Sequence, residues 1–278
     1  MHPMVNHMLQ LQEMNLIRAE QKTARKKADL ASLDKSIKEM TSELPKEVGT
    51  LYQRLQKKDP IVLIPISNSF CAGCGMRLPI SLVQSVRQAH DIHQCPTCAK
   101  ILYYPEDAPR RIGKRPRRSE PRKVGISRFS SHTLMLPRLK ATERDDAIIE
   151  LSNLMAEAGF IDNPDRMAEE SIRRENVVST AMEHGTAFPH VRGVEGGGIT
   201  VAMGISKKGI KFDPSSKKLT RIIFLISIPT AASAFYLKLL AGLTSTLTSK
   251  DARDALMAEK DPEKLWKTLV KLTRTTIK

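Results

Sequence analysis

His190 is the residue in this 278-residue sequence whose surroundings best suit covalent chemistry. It follows a proline at the end of a short glycine-punctuated run, and Arg174, Ser179 and Thr180 precede it. A neutral imidazole is a competent nucleophile near pH 7, because its ordinary pKa is about 6.5. The guanidinium and the two hydroxyl groups are donors that could hold a phosphoryl group on that imidazole. Local chemistry alone also allows a plain loop histidine, a helix-capping arginine and a Ser-Thr turn.

Four cysteines form a second chemical group, since they lie in two CxxC pairs separated by 20 residues. Two residues between cysteines let the chain turn so that both sulfurs reach one metal ion, and two such pairs complete a tetrahedron. No position remains for water, so the spacing predicts a structural Zn²⁺ site. The predicted ligands are Cys71, Cys74, Cys95 and Cys98. The histidines between the pairs, His90 and His93, are expected at the surface.

The composition predicts about two domains with an aliphatic core, since 41% of the residues are apolar and only 4% are aromatic. There is no apolar run of about 18 residues and no secretion signal, which argues against a membrane span and for the cytoplasm. In that compartment, clustered cysteines favour metal binding over disulfides. The net charge of +15 is concentrated at the front, where residues 1–128 hold 23 Lys and Arg against 12 Asp and Glu. Any surface for polyanions is therefore expected there.

Residues 1–60 are predicted to form a helical coiled coil or hairpin. An apolar stripe with alternating spacings of three and four indicates a helix from about residue 6 to 44. Pro45 must break or restart the helix because it lacks an N–H group, and a second helix is expected to about Lys58. A narrow stripe needs a partner, which is either the second helix folded back or another copy of the chain. A homo-oligomer through these helices is therefore one of two expectations.

Residues 61–104 contain the cysteines and begin with a short β-like run at residues 61–66. The motifs Cys71-x-x-Cys-Gly-Met-Arg-Leu-Pro79, Cys95-Pro-x-Cys98 and Ile101-Leu-Tyr103 resemble the C4-type zinc-ribbon domain that follows a helical coiled-coil hairpin in many bacterial proteins. The resemblance implies a small β zinc ribbon, here with a shorter hairpin than is typical. Family members are generally described as nucleic-acid-binding or interaction proteins, so it implies a scaffold more firmly than any activity.

Residues 105–140 are predicted to be a basic disordered linker. Between Arg110 and Lys123 there are eight Lys or Arg residues against one Glu, with prolines and a glycine that break any helix. Such a run can contact phosphate backbones, but it lacks interleaved aromatic residues that would stack on bases. Two interpretations stay open, nonspecific nucleic-acid binding through Arg110–Lys123 and a solvated tether.

Residues 141–278 show the pattern of an α/β domain with a mixed sheet flanked by helices. A continuous apolar run from Ile222 to Ile228 predicts a central strand covered on both faces. The other expected strands are 186–188 and 198–205, and the expected helices are 145–159, 163 to about 174, 232–247, 251–257 and 262–272.

Several separated motifs in this last region occur in the order found in one family. Arg173-Arg-Glu175, Ser179-Thr180 and Gly185-x-Ala187-x-Pro189-His190 come first, and Ile222-Ile-Phe-Leu-Ile-Ser-Ile-Pro229 follows. Together they resemble the fructose/mannitol/nitrogen-type (type-2) enzyme IIA domain of the bacterial phosphotransferase system (PTS). The resemblance covers about residues 140–276.

This resemblance implies a role for each matching residue. His190 would accept a phosphoryl group from the phosphocarrier protein HPr, and Arg174 would hold the phosphoryl oxygens. Further support for the phosphoryl group is expected from Ser179, Thr180, Arg192 and Tyr236. Because phosphoryl transfer passes through a loose transition state, such residues mainly position groups and balance charge.

The sequence departs from that family at a second histidine, which usually begins a helix reading His-Leu-x-x-Leu-Ala. Here Tyr236 takes that place, in Phe235-Tyr-Leu-Lys-Leu-Leu-Ala241. A phenol can form a hydrogen bond, but with an ordinary pKa of about 10 it does not titrate near pH 7. His184 is nearby in sequence and is not expected to compensate. The change puts onward sugar transfer in doubt more than acceptance of phosphate.

These observations predict a cytoplasmic phosphocarrier, a phosphotransferase if active, with a regulatory role of the nitrogen type and a target protein that the sequence does not name. Phosphate on His190 would change the charge of the site and thereby what the helical and zinc modules contact. The alternative is a zinc-ribbon scaffold that binds nucleic acid or protein and carries a catalytically silent enzyme IIA-like domain.

Overall fold

The computed structural model of the protein describes residues 3–24, 30–67, 69–104, 124–192, 198–229 and 233–277. These residues belong to two compact units, divided between Arg110 and Arg111. Within the described ranges, no helix combines the length and the apolar character that crossing a membrane requires. The basic segment Arg110–Lys123 lies outside the described residues, so both interpretations of it remain predictions.

The first unit begins with three described helices. They are α1 (Pro3–Ala24), α2 (Ala31–Ser42) and α3 (Lys46–Gln56). Pro45 stands directly before α3, where its missing N–H group costs no helical hydrogen bond. The predicted break at Pro45 is therefore confirmed. Leu33 and Ile37 of the predicted stripe are buried, and α1 packs against α2. A partner within the chain thus covers part of these helices, while a homo-oligomer remains a prediction.

The cysteine-containing segment folds into a four-stranded sheet with a helix beside it. Its elements are β1 (Leu63–Ser67), β2 (Phe70–Cys71), α4 (Ile80–Gln88), β3 (His93–Gln94) and β4 (Ile101–Tyr103). The strand order is β2-β1-β4-β3, with β1 and β4 parallel and the outer pairs antiparallel. Ile64, Val83 and Leu102 belong to a buried core that the cysteines also contact. The short helix α4 was not predicted.

The second unit begins inside the segment that was predicted to be linker. Residues 124–140 contain two 3₁₀ turns, Gly125–Arg128 and His132–Leu134, and the strand β5 (Met135–Leu136). β5 pairs in parallel with a long strand of the main sheet, and Leu134 is fully buried. The predicted linker boundary is corrected here, because a few apolar residues among polar and basic ones are enough to fold this stretch onto the sheet.

The remaining described elements of the second unit follow the predicted order. They are α5 (Arg144–Glu157), α6 (Pro164–Val177), β6 (Thr186–Ala187), β7 (His190–Arg192), β8 (Thr200–Ile210), β9 (Thr220–Ile228), α7 (Ser233–Thr248), α8 (Lys250–Ala258) and α9 (Pro262–Thr273). α6 continues to Val177, almost one turn beyond its predicted end at Arg174. The strand expected over residues 186–188 is two short strands on either side of Pro189.

β9 is the central strand of the second sheet. β8 pairs with it antiparallel on one edge, while β6 and β7 pair in parallel with successive stretches of its other edge. β5 extends the sheet beyond β8. Residues Ile222 to Ile228 are buried throughout, as predicted for a strand covered on both faces. α5 packs against β8 and β9, α6 against β7, and α9 against β5. The predicted fold class, helices and a small zinc ribbon followed by an α/β domain with a mixed sheet, is confirmed.

Candidate functional site

His190 opens β7, and the backbone around it is anchored to the central strand. It pairs with Ile226, whose N–H group donates a hydrogen bond of 3.0 Å to the carbonyl oxygen of Pro189. Phe188 is buried, and its ring stacks on that of Phe224 with centroids 5.4 Å apart. The imidazole is therefore held in one place by its neighbours, and only 2% of the residue is exposed.

One ring nitrogen of His190 lies against a carbonyl group. Nδ1 is 2.9 Å from the backbone oxygen of Phe188, and a carbonyl oxygen can only accept a hydrogen bond. In the neutral ring, Nδ1 therefore carries the proton, and the lone pair lies on Nε2. Nε2 is thus the ring atom that carries the nucleophilic lone pair, and it is buried in this structure, so a donor must gain access to it.

Tyr236, the first residue of α7 whose side chain is described, packs beside this imidazole. Its hydroxyl oxygen lies 3.1 Å from Nδ1 of His190, and the two ring centroids are 5.0 Å apart. Arg192 lies on the same aromatic ring, with its guanidinium carbon 5.2 Å from the centroid, a distance typical of cation–π contacts. The structure therefore brings three of the predicted site residues, His190, Arg192 and Tyr236, into one cluster.

Arg174 is buried in the last part of α6, the helix that packs against β7. Its Nη1 atom donates a hydrogen bond of 2.9 Å to the carbonyl oxygen of Val178, just beyond the end of the helix. Such a contact satisfies a backbone acceptor that the helix itself leaves open. The capping role considered for Arg174 is therefore present, and its role toward a phosphoryl group remains a prediction.

Glu175 is a buried carboxylate whose importance was not predicted. Its Oε1 accepts hydrogen bonds from the Thr180 N–H group at 2.6 Å and the Ser179 hydroxyl at 2.9 Å, and its Oε2 accepts one from the Thr180 hydroxyl at 2.8 Å. Burial raises the pKa of Glu175, while the charge of Arg174 and these hydrogen bonds act in the opposite direction. An acid four and five residues before a Ser-Thr pair was the available signal.

This arrangement bears on the predicted role of Ser179 and Thr180. Each hydroxyl group has one hydrogen, and when Glu175 is ionised both hydrogens are directed at its carboxylate. The two residues thus organise the chain before His190, and direct donation from them to a phosphoryl group stays a prediction. His184 is exposed in the turn before β6.

The four cysteines of the first unit come together in three dimensions. Their sulfur atoms all lie within 4.8 Å of one another, and the Cys71–Cys98 and Cys74–Cys95 pairs are each 3.7 Å apart. Four sulfurs bound to Zn²⁺ at about 2.3 Å stand about 3.8 Å apart at the corners of a tetrahedron. The donor set and its spacing therefore fit one Zn²⁺ ion.

The surroundings of the sulfurs differ from one cysteine to the next. Burial raises the pKa of the Cys71 thiol to about 12. At Cys95, the effect of burial is outweighed by backbone N–H groups of Cys98 and Thr97, and its pKa is lowered to about 7. Neither histidine between the pairs joins the cysteine group found among the described residues, with His90 exposed and His93 half-buried.

Comparisons with known proteins match both units. The family model described as "Phosphoenolpyruvate-dependent sugar phosphotransferase system, EIIA 2" matches residues 129–271, and that described as "C4-type zinc ribbon domain" matches residues 71–102. Both resemblances found in the sequence are thereby confirmed.

Individual proteins also match part of this chain. The PTS system fructose-specific EIIA component of Haloferax volcanii is 30% identical over 114 residues, which are 41% of this chain and 74% of that protein. The nitrogen regulatory protein of Bradyrhizobium diazoefficiens is 27% identical over 135 residues, 49% of this chain and 88% of that protein. The crystal structure of nitrogen regulatory protein IIA-Ntr from Neisseria meningitidis matches 52% of this chain and 98% of its own, with 22% identity and a TM-score of 0.47.

Proposed function

We propose that this chain, which belongs to the EIIA 2 family of the phosphoenolpyruvate-dependent sugar phosphotransferase system, accepts a phosphoryl group on Nε2 of His190 from an HPr-type donor. The observation that carries this proposal is the 2.9 Å contact between Nδ1 of His190 and the carbonyl oxygen of Phe188. Because that contact keeps the proton on Nδ1, Nε2 can attack phosphorus without first losing a proton. The bond between phosphorus and the donor atom that carries it breaks as the bond to Nε2 forms, and the electron pair of the broken bond stays on the donor.

The residues around His190 would act mainly by position and charge. Phosphoryl transfer asks for little covalent chemistry from the protein beyond alignment and the balancing of negative charge. Arg192 supplies a cation in the cluster, since it lies over the ring that contacts His190. Arg174 supplies a second cation from α6, which packs against the strand of His190.

The finer part of the proposal is a regulatory role rather than a step in sugar uptake. Tyr236 supports it, because a phenol contacts Nδ1 at 3.1 Å but does not titrate near pH 7 as a second histidine would. Relatives of both kinds are known, one named for fructose and one for nitrogen regulation. The HPr-type donor and the cytoplasmic location expected from the sequence belong to this proposal, and the regulatory target is not identified.

The first unit is proposed to hold one structural Zn²⁺ ion between Cys71, Cys74, Cys95 and Cys98. The support is the match to the C4-type zinc ribbon and sulfur spacings that fit a tetrahedron. When bound, the ion would cross-link the two CxxC turns and stabilise the small sheet, as four thiolates leave no position for catalysis.

A phosphorylation assay tests the proposed function. The purified chain is incubated with enzyme I, HPr and phosphoenolpyruvate that carries a labelled phosphoryl group. The expected result is an acid-labile label that His190→Ala abolishes and His184→Ala retains, since His184 is an exposed turn residue. If His190→Ala is labelled as well as the wild type, the proposal fails. A wild type without label would favour the alternative, a zinc-ribbon scaffold with a silent enzyme IIA-like domain.

A further inference from the structure

A chain of hydrogen bonds joins the buried carboxylate of Glu175 to His190. The Thr180 hydroxyl donates to Oε2 of Glu175 at 2.8 Å, and the same hydroxyl oxygen accepts from the N–H group of Phe188 at 3.2 Å. The carbonyl oxygen of Phe188 then accepts from Nδ1 of His190 at 2.9 Å. One side chain and one residue of backbone thus connect the carboxylate to the imidazole.

In this series of hydrogen bonds, the chemistry of the groups fixes which one donates and which one accepts. The Phe188 N–H group can only donate, so the Thr180 oxygen must accept at that contact and is left with its one hydrogen for Glu175. At the far end, the Phe188 carbonyl can only accept, so His190 must donate through Nδ1. Glu175 therefore bears on the tautomer only through position, because it holds Thr180 and with it the Phe188 backbone whose carbonyl receives the proton of Nδ1.

Glu175 also fixes the backbone on which Phe188 depends. It receives the Thr180 N–H group at 2.6 Å, so Thr180 is held by both its backbone and its side chain. The segment from Thr180 to Phe188 closes on itself through an antiparallel bridge between Ala181 and Ala187. Because the two ends of this segment meet, holding Thr180 also holds the Phe188 peptide groups.

Because Glu175 is buried, its hydrogen bonds and its neighbouring charge must compensate for the loss of water around the carboxylate. Only 2% of the residue is exposed, and a buried carboxylate is costly unless hydrogen bonds and a charge compensate it. Arg174 provides the charge and Thr180 and Ser179 provide the donors. An apolar residue of similar volume could fill the same space at a lower free-energy cost of burial, but it could not accept the hydrogen bonds that hold Thr180 in place.

We propose that Glu175 is a positioning residue, which acts through Thr180 and the Phe188 backbone to keep the proton of His190 on Nδ1. The phosphoryl group is thereby directed to Nε2. The transfer step in this inference rests on the proposed function, whereas the tautomer of His190 is a property of the protein before any phosphoryl group arrives.

Nitrogen-15 NMR of the imidazole in the full, zinc-loaded and unphosphorylated chain reads the tautomer directly. In the wild type we expect the proton on Nδ1. Thr180→Val keeps the shape of the side chain but removes the oxygen that receives the Phe188 N–H group. The population of the tautomer with its proton on Nε2 should therefore rise about tenfold or more, and the rate of labelling should fall about tenfold or more. Thr180→Ser keeps the hydroxyl and is the matched control, with values within about twofold of the wild type.

Glu175→Gln is the second variant, and we expect an intermediate shift because an amide keeps a single acceptor oxygen. Folded Thr180→Val and Glu175→Gln proteins that retain the wild-type tautomer and labelling rate would overturn the positioning role. A wild type with its proton on Nε2 would overturn it even if neither variant folds. A wild type that takes no label, while the tautomer still shifts in the variants, contradicts the proposed function and supports the positioning role.

Discussion

At the scale of single residues, the site depends on which atoms hold the proton of His190. The Phe188 carbonyl and the Tyr236 hydroxyl both lie within hydrogen-bond distance of Nδ1. Of these two groups, the carbonyl fixes the proton on Nδ1, since it can only accept, provided that the Phe188 backbone is held in place. Tyr236 adds packing and a second polar contact, but near pH 7 it brings no positive charge. The phenol should therefore assist phosphate acceptance without being essential to it.

Tyr236→Phe tests that expectation. The ring and its packing stay while the hydroxyl is lost, which removes one hydrogen bond worth about 1 kcal/mol and should slow labelling about fivefold. The initial rate of labelling from phosphorylated HPr measures the effect. Tyr104→Phe, which removes a hydroxyl in the first unit, should leave that rate unchanged. If Tyr236→Phe abolished labelling as completely as His190→Ala, the phenol would be essential and this view of it wrong.

Glu175 gives a prediction about pH. Because burial raises its pKa above the ordinary 4.5, the folded protein keeps the proton of Glu175 to a higher pH than the unfolded chain does. The unfolded state then binds fewer protons, so the contribution of Glu175 to stability is fully present below about 4.5 and is lost as pH rises through the folded pKa. The free energy of unfolding of the wild type relative to Glu175→Gln should fall over that interval. Urea unfolding of both proteins at several pH values measures it, and a difference that grows with pH would contradict the sign.

Among the secondary-structure elements, α7 is packed tightly by Thr276 and Ile277. A Cβ atom on Gly242 would lie 2.7 Å from the carbonyl oxygen of Thr276 and 2.7 Å from Cγ1 of Ile277. A contact with backbone cannot be relieved by a change of rotamer, so the helix and the segment around Thr276 must be pushed apart. Only glycine permits this close approach.

Gly242→Ala is therefore expected to lower the free energy of unfolding of the second unit by about 1–3 kcal/mol. Gly49→Ala in α3 is the matched control, because a Cβ there would meet its nearest neighbour at an ordinary 3.6 Å. That change should be neutral or stabilising by up to about 1 kcal/mol, since alanine favours a helix. Thermal unfolding followed by circular dichroism compares the two, and equal effects would show that the contact at Gly242 is easily relieved.

Helices and strands with a strong hydrophobic pattern could be predicted from the sequence, and those that exist only through pairing with another strand could not. The apolar run of β9 and the amphipathic helices that follow it were found because their own residues carry the period. β5 was missed, because its two residues are a strand only through pairing with β8. At the site, His190 was recognised from ordered motifs. The role of Glu175 depends on Thr180 folding back to it, and the spacing between the acid and the Ser-Thr pair does not by itself specify that fold.

At the scale of the whole molecule, the chain consists of two compact units, and each has a buried core. The first unit is small and its sheet is short, so a metal cross-link should contribute much of its stability. The second unit buries long strands and several helices, and His190 lies within it. Metal binding and phosphate acceptance are therefore expected to be separable.

Removal of zinc tests this separation. The chain should contain about one Zn²⁺ ion, and Cys71→Ser should reduce that content, because a four-thiolate site loses a ligand. After the metal is stripped with a chelator and the chelator is dialysed away, NMR signals of the first unit should collapse while His190 is still labelled. Elemental analysis, NMR spectra and the labelling assay give the three readouts. Loss of labelling together with the metal would show that the units are coupled.

The proposed role of His190 as phosphoacceptor is tested by locating the phosphoryl group on the imidazole. The chain, labelled with nitrogen-15, is phosphorylated through enzyme I and HPr, and the coupling between phosphorus and ring nitrogen is measured by NMR. The proposed function predicts one phosphorylated histidine, His190, with phosphorus on Nε2 and the proton on Nδ1. Phosphorus on Nδ1, phosphorus on another residue, or no phosphohistidine would contradict it.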